Sequence, residues 1–505
     1  MGARLSRPLP RGDHAPLLRR IDKLGSILEV AKALAAERDL DALLQLVVEE
    51  TARVAGADRC TLFLVDRERG TLYSKIAQGV REGEAIRVPL GVGIAGHVAK
   101  TGEVLNLTDA YRDPRFNPAV DQATGYRTLS LLCVPLRHPD GAVIGVLQAL
   151  NKKDGLAFDE EDEELVVALA GLGASAIANA LHREEIETLF EGFVRASVVA
   201  IESRDGTTAG HSERVARLTL GLADAVERET SGPYKDLRFS PEQRQALRYA
   251  ALLHDFGKVG VREEVLVKAN KLHPWEFEAL RQRFDYAKRS MEVESLRRQR
   301  DMLLLGAGRE AIRREEELLA ERLAEIDRAW ELVSLCNRPT VLPVGGFGGL
   351  EALARIQYLG PDEREHSLLT TDEVELLSIR QGSLSPHERL EIQSHVSHTY
   401  RFLSRIPWTR ALRRVPEIAY AHHEKLDGSG YPRGLSGSAI PVEARMMTIA
   451  DIYDALTVSD RPYKRPIPHE IALSILEDEA RQGKIDAELV RIFIEADVPR
   501  CIHER

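Results

Sequence analysis

Tyr249-Ala250-Ala251-Leu252-Leu253-His254-Asp255-Phe256-Gly257-Lys258 sets a histidine and an aspartate at the end of a run that belongs in a buried helix. An ionised carboxylate there is costly unless it is paired or bound to metal. Adjacent helical residues project about 100° apart. His254 can therefore ligate one ion while Asp255 bridges it to a neighbour. The same reading extends to His422-His423 and to Asp451 in Met446-Met447-Thr448-Ile449-Ala450-Asp451-Ile452. His211 follows Gly210 and opens a helix carrying Val215, Leu218 and Leu222. One histidine on an apolar face is ordinarily a satisfied core residue. Five or more imidazoles and carboxylates in apolar helices are not independent accidents, and their mixture without thiolate is that of Fe, Mn, Zn or Ni sites.

The chain has 505 residues, 69 Lys plus Arg and 79 Asp plus Glu, so its formal charge is 69 − 79 = −10. That length suits two to four domains, and 44% hydrophobic with 29% charged residues excludes disordered and collagen-like classes. The acidic balance argues against duplex nucleic acid as a partner. Cys60, Cys133, Cys336 and Cys501 form no Cys-x-x-Cys pair, which fits a reducing compartment. Met1 to Arg20 lacks the apolar core of a signal peptide, and the myristoylation-like start Met1-Gly2-Ala3-Arg4-Leu5-Ser6 has nothing else to support it. The apolar stretch Leu165 to Leu181 is short for a span and reads as a packed helix, so a cytoplasmic protein without membrane insertion is expected.

Helical spacing predicts two helices between Leu17 and Gly56. Strand-like runs come next at Cys60 to Val65, Thr71 to Ala77, Glu84 to Val88, Val104 to Leu107, Leu129 to Pro135 and Val143 to Leu150, with Pro139-Asp140-Gly141 as a hairpin turn. Glu160 to Ser203 is helical again and connects the sheet region to the second half of the chain. The expected fold is multidomain: an N-terminal α+β domain with an antiparallel sheet flanked by helices, then an all-α domain with a helical insertion. Beyond Arg204 no strand is predicted. Arg281 to Leu335, with charges of both signs between Leu and Ile, predicts a helical hairpin or coiled coil, either a solvated face or a dimerisation element.

Gly91-Val92-Gly93-Ile94-Ala95-Gly96 matches a dinucleotide fingerprint, but antiparallel surroundings rule out the strand-helix-strand unit that motif needs. With Val88-Pro89-Leu90 before it, His97-Val98 and Thr101-Gly102-Glu103 after it, and the strand Ala142 to Gln148, the region instead resembles a GAF domain. Asn151-Lys152, Phe158 and Asp162-Glu163 are similar to the signature of cyclic-nucleotide-binding GAF domains in mammalian phosphodiesterases. Two readings stay open: a small-molecule ligand in the domain, or an ion pair between the Lys and a later Asp that closes it.

The second half resembles the HD-GYP family of HD phosphohydrolases. The resemblance rests on Ala209-Gly210-His211-Ser212-Glu213-Arg214-Val215, His254-Asp255-Phe256-Gly257-Lys258, His422-His423-Glu424-Lys425-Leu426-Asp427-Gly428-Ser429-Gly430-Tyr431-Pro432, and Ala450-Asp451-Ile452-Tyr453-Asp454-Ala455-Leu456 followed by Arg461-Pro462-Tyr463-Lys464. It implies a flexible tail over 1–16, a GAF sensor over 17–189 ending in a linker helix, and an HD-GYP domain over 190–505 with an insertion at about 281–380. It further implies two divalent ions, iron or manganese. His211, His254, Asp255 and Asp451 would hold one, and Asp255, His395, His422 and His423 the other.

His395 is assigned through Ser394-His395-Val396, with His398 as its neighbour and confounder, and Glu202 is a candidate carboxylate for a third ion. The implied activity is hydrolysis of cyclic di-GMP to pGpG or GMP. Asp255 and Lys258 would be catalytic, and Lys258, Gly430, Tyr431, Pro432, Arg461 and Lys464 would contact substrate. Alternatives are a non-cleaving cyclic-dinucleotide receptor or scaffold, or an HD hydrolase of a related cyclic dinucleotide or phosphate ester. A homodimer through the GAF-flanking and inserted helices is expected, with the insertion a lid, a dimer arm or a partner surface.

Overall fold

The computed structural model describes residues 15–37, 39–77, 86–204, 209–339, 348–458 and 467–502. The expected tail over 1–16 falls almost wholly outside them. The chain divides into two compact units, 1–191 and 192–505.

The first unit opens with α1 (Ala15–Ala36) and α2 (Leu40–Val54), followed by β1 (Ala57–Asp66), β2 (Thr71–Ala77), β3 (Arg87–Pro89), α3 (Gly93–Thr101), β4 (Leu105–Leu107), α4 (Ala119–Thr124), β5 (Leu131–Arg137) and β6 (Val143–Lys152). The six strands form one sheet in the order β3-β2-β1-β6-β5-β4, with every pairing antiparallel. The nucleotide-fold reading of the glycine-rich stretch is thereby excluded, and Gly93 opens α3 instead.

Strand alternation divides the core in two. Cys60, Leu62 and Leu64 of β1, Leu132 and Val134 of β5, and Leu147 and Ala149 of β6 face the helices α1 and α2. Phe63, Cys133 and Val146 face the other way, onto Ile94, Ala95 and Val98 of α3. A sheet covered on both faces explains why its central strands read as nearly continuous apolar runs.

α5 (Glu160–Arg204) is one helix of 45 residues that crosses the boundary between the units. By length and composition it could cross a membrane, but half of its apolar window is buried in the structure. Val166, Leu169, Ala170, Ala174 and Ile177 belong to the core of the first unit, as the packed-helix reading requires.

The second unit contains α6 (His211–Arg228), α7 (Pro241–Leu253), a 3-10 turn Phe256–Gly260 and α8 (Glu263–Leu266). The insertion comes next as α9 (Pro274–Leu304), α10 (Arg309–Cys336), α11 (Gly348–Leu353), β7 (Gln357–Leu359), β8 (Glu365–Ser367) and α12 (Thr371–Leu377). Then come α13 (Pro386–Leu403), α14 (Val415–Tyr420), α15 (Val442–Thr457), α16 (His469–Arg481) and α17 (Ala487–Glu495). The antiparallel pair β7–β8 corrects the strand-free expectation: three residues per strand, mostly exposed, are too short to produce a periodic signal.

The insertion has its own core, Leu280, Phe284, Ile326, Val333, Leu350, Leu368 and Leu377 among others. Its ends meet. The buried Lys271 ammonium donates to the Leu377 carbonyl at 2.8 Å, and Ser383 Oγ donates to the Lys268 carbonyl at 2.8 Å. Both flanks begin a helix in the same manner: His273-Pro274 with Glu276, and Ser385-Pro386 with Glu388, each form a capping box.

In the first unit Lys152 pairs with the buried Asp162, and Asp159 lies 3.4 Å from the same ammonium. Replacing Lys152 by Ala strands a carboxylate that is only 8% exposed, an expected loss of about 1 to 3 kcal/mol. All three tryptophans lie in the second unit, so hydrogen exchange of the β6 amides is the suitable probe. Wild-type protection in Lys152→Ala would show that the pair contributes nothing.

Candidate metal centre

Five segments of the second unit converge. Gly210, with φ 70°, caps α6 and places His211 as its first residue. His254 and Asp255 follow the last turn of α7, His395 lies within α13, His422 and His423 follow α14, and Asp451 lies within α15. The ligand atoms of three groups lie within 4.8 Å of one another: His211, His254 and Asp451; His395, His422 and His423; and His254, Asp255 and His422.

The ring orientations have one cause. His254 Nδ1 donates to the Ala251 carbonyl at 2.7 Å, His395 Nδ1 to the Ile392 carbonyl at 2.5 Å, and His422 Nδ1 to the Ala419 carbonyl at 2.6 Å. A carbonyl only accepts, so each Nδ1 carries the proton and each Nε2 keeps its lone pair. Among the described residues, these three buried Nε2 atoms have no hydrogen-bond partner. His211 is oriented by a carboxylate instead, its Nδ1 donating to Asp454 Oδ2 at 2.8 Å. Backbone carbonyls and carboxylates in this role are the usual outer support of metal-bound imidazoles.

Asp255 lies between the groups. Its Oδ1 is 3.2 Å from His395 Nε2, whereas its Oδ2 is 3.5 Å from His254 Nε2 and 3.9 Å from His211 Nε2. Asp451 Oδ1 is 3.3 Å from His211 Nε2 and 3.8 Å from His254 Nε2. Orphaned imidazole lone pairs around two buried carboxylates fit divalent cations bound through nitrogen and oxygen.

The remaining sequence candidates occupy varied positions. Lys258 Nζ lies 2.9 Å from Asp255 Oδ2, held there by the 3-10 turn rather than by a continuing α-helix. Tyr431 packs its ring against His423, with centroids 4.8 Å apart. Gly430 lies against the backbone of Glu424 and Lys425, where a Cβ would come within 2.3 Å of the Lys425 nitrogen. Pro432 is in the same loop, which is pinned by Glu424: its two carboxylate oxygens accept the Arg433 and Leu435 amides at 2.9 and 2.8 Å. Glu202 stands outside the three groups and accepts the Gly210 amide at 2.9 Å. His398 is outside them too, its ring lying against Gly260. Arg461 and Lys464 fall outside the described residues.

Three buried residues escaped the sequence reading. Asp454 holds His211 and also receives Arg214 Nε at 2.7 Å. Thr399 donates to the His254 carbonyl at 2.9 Å and accepts the Gly257 amide at 2.8 Å. Thr448 donates to the His422 carbonyl at 2.7 Å. The i,i+3 repeats His211/Arg214 and Asp451/Asp454 were the available signal for Asp454; the threonines offered none.

Charge is set by this packing. Burial disfavours the His211 cation, but hydrogen bonds to Asp451 and Asp454 and the charge of Asp255 outweigh it and push the group up to about 10. Burial likewise opposes ionisation of Asp255 and Asp451, yet Lys258, His254 and His395 hold Asp255, and His211, His254 and His423 hold Asp451, well below the usual carboxylate range. His422 is driven well below its ordinary value by burial and adjacent histidines, and burial takes His423 down to about 3.

Without metal, the His211 proton therefore stabilises the fold fully below about pH 6.5, and this contribution is lost as pH rises through about 10. A cation at Nε2 must displace that proton, whereas His422 and His423 have none to lose. Metal affinity is expected to rise about tenfold per pH unit between pH 7 and 9, with proton release visible by calorimetry in buffers of different ionisation enthalpy. A flat profile contradicts ligation by His211. Gly257→Ala is a second test: its Cβ would lie 1.8 Å from the His395 carbonyl oxygen, so the variant is expected to lose metal measured by elemental analysis.

The GAF domain family matches residues 39–177, and HD domain families match 208–334 and 372–489. The first HD match contains His211, His254 and Asp255, and the second His395, His422, His423 and Asp451. Two relatives are the dual 3',5'-cyclic-AMP and -GMP phosphodiesterase 11A of Takifugu rubripes, 39% identical over 165 residues, and phosphodiesterase 11 of Drosophila melanogaster, 37% identical over 163. These alignments cover 30% and 29% of this chain, and the chain spans only 18% and 11% of those proteins. A solved GAF domain from a Coxiella burnetii phosphoenolpyruvate-protein phosphotransferase is 27% identical, with a TM-score of 0.30, covering 33% of this chain and 98% of that one. The chain carries a GAF domain followed by two stretches of HD-domain sequence around a helical insertion, consistent with a GAF domain joined to an HD phosphohydrolase.

Proposed function

We propose that this chain is a metal-dependent phosphodiesterase that hydrolyses cyclic di-GMP to pGpG or GMP under the control of its GAF domain. The observation that carries the reading is Asp255, whose two oxygens face two different groups of histidines with bare Nε2 atoms. A cation pair there supplies positive charge for the non-bridging phosphate oxygens and a nucleophile at neutral pH. Iron or manganese suits a donor set of imidazole and carboxylate alone.

The chain's own groups do the rest. His211, His254 and Asp451 hold one side of Asp255, and His395, His422 and His423 the other. Lys258 keeps its ammonium at the carboxylate and offers it to a phosphate oxygen arriving there. Burial and the charges of Asp451 and Asp255 push the Tyr431 phenol up, so it stays a hydrogen-bond donor beside His423. Arg461 and Lys464 are proposed guanine and phosphate contacts. Exposed Ile186, Leu189 and Phe193 along α5, and Leu303, Leu304 and Leu305 at the end of α9, support self-association through these helices.

The phosphodiesterase 11 relatives favour a second reading, in which the nucleotide is cyclic AMP or cyclic GMP. Metal-loaded full-length protein should be offered cyclic di-GMP, cyclic GMP and cyclic AMP in parallel, with products separated by chromatography. Linear pGpG or GMP from the dinucleotide supports the first reading, and turnover of the mononucleotides alone moves the assignment to the second. No turnover of any of them by a metal-loaded sample leaves a receptor. Asp255→Asn is expected to lower turnover by at least about a thousandfold and to reduce bound metal; full metal content in that variant would remove Asp255 from its bridging role.

A further inference from the structure

The last turn of α5 holds two of the loops that build the metal centre. Glu202 and Arg204 are two positions apart, so they project about 200° from one another and leave the helix on nearly opposite sides. On one side, Glu202 Oε2 accepts the amide of Gly210, the residue that caps α6 and precedes His211. On the other, the Arg204 guanidinium donates to the Val259 carbonyl through Nη1 and to the Val261 carbonyl through Nη2 at 3.2 Å.

Those carbonyls end the 3-10 turn Phe256–Gly260, which starts at Asp255 and carries Lys258. An acid at a helix start and a base at a helix end are each the favourable sign for the exposed backbone groups there. Both clasps are local to the second unit, yet α5 is the helix that begins in the first.

We propose that Glu202 and Arg204 are positioning residues that fix the separation between His211 and the Asp255–Lys258 turn. Rotation of α5 about its axis moves the two side chains in opposite directions and so displaces both from their partners. Anything that turns or bends α5 is thus felt at His211 and Asp255, the ligands on the two sides of the first proposed ion. For turnover, the inference rests on the phosphodiesterase reading; for metal retention, it needs only the cluster itself.

The test uses full-length protein, with Mn²⁺ as the probe and calorimetric titration as the readout. Arg204→Ala removes both bonds to the turn and is expected to weaken Mn²⁺ binding roughly tenfold, the lower end of what loss of an outer support costs. Arg204→Lys keeps the charge and one donor and should recover part of that affinity. Glu202→Gln keeps an acceptor for the Gly210 amide and should stay close to wild type, whereas Glu202→Ala should not.

A lowered melting temperature with unchanged Mn²⁺ affinity in both alanine variants would make the two contacts ordinary packing and overturn the proposal. If Arg204→Ala does not fold, the Arg204→Lys and Glu202→Ala affinities decide in the same way. Mn²⁺ binding by wild type without cleavage of any cyclic nucleotide would sink the enzymatic reading, while the affinity series would still judge the clasp.

Discussion

The second unit is organised around the cost of burying nitrogen lone pairs without partners. Three imidazole Nε2 atoms, of His254, His395 and His422, end in the same small region with no hydrogen bond among the described residues. A buried polar group left without a partner is costly, on the order of 1 to 3 kcal/mol. Each ring is also locked by a bond from its Nδ1 to the carbonyl three residues earlier, so it cannot turn aside to satisfy itself. A cation removes this penalty, and the acids needed to balance its charge, Asp255 and Asp451, lie alongside. The helices are then best understood as a frame that keeps these groups from escaping one another.

The frame is tight where it must be. Gly257 packs so closely beneath α13 that any side chain would collide with the His395 carbonyl. Thr399 spans the same junction, linking the His254 carbonyl to the Gly257 amide. Thr448 does similar work from α15, holding the His422 carbonyl while also bonding its own helix at Ala444. One glycine contact and two threonines therefore set the relative heights of α7, α13, α14 and α15, which apolar packing alone leaves free to slide by fractions of a turn. The insertion disturbs none of this. It leaves and returns through Lys271 and Leu377, which are in direct hydrogen-bond contact, and it buries its own leucines.

Much of this could be read from the chain because the physical signals are local. The long strands β1, β2, β5 and β6 alternate or run apolar over seven to ten residues and are recognised by it, and the charged hairpin of α9 and α10 announced itself by its heptad-like pattern. Histidines beside aspartates in apolar runs stand out because both groups are costly there. What escaped was the support. Asp454 binds a histidine 243 positions away, and a threonine hydroxyl carries no charge to attract notice in a helix. The β7–β8 pair was missed because Gln357-Tyr358-Leu359 and Glu365-His366-Ser367 are too short to show a period, and no apolar run surrounds them. His395 was the ligand placed with least help from spacing, since the insertion had displaced its block. Capping boxes at His273 and Ser385 begin a helix at each flank of the insertion.

The Asn-Lys…Phe…Asp-Glu residues of the GAF domain can be accounted for in the same terms. Asn151, in a left-handed conformation at φ 51°, accepts the Leu129 amide at 2.6 Å and donates to the Arg127 carbonyl at 2.8 Å. Lys152 pairs with Asp162, Phe158 is buried, and Glu163 accepts Asn106 at 3.2 Å. Asn151 ties the end of β6 to the segment before β5, whereas Lys152 and Glu163 tie β6 and β4 to the first turn of α5, where acids are also favoured by the helix dipole. The ion pair between Lys152 and Asp162 closes this end of the domain at the beginning of α5. The far end of that helix is secured by Glu202 and Arg204 to the loops of the metal centre. Polar contacts within each unit thus hold one end of the same helix.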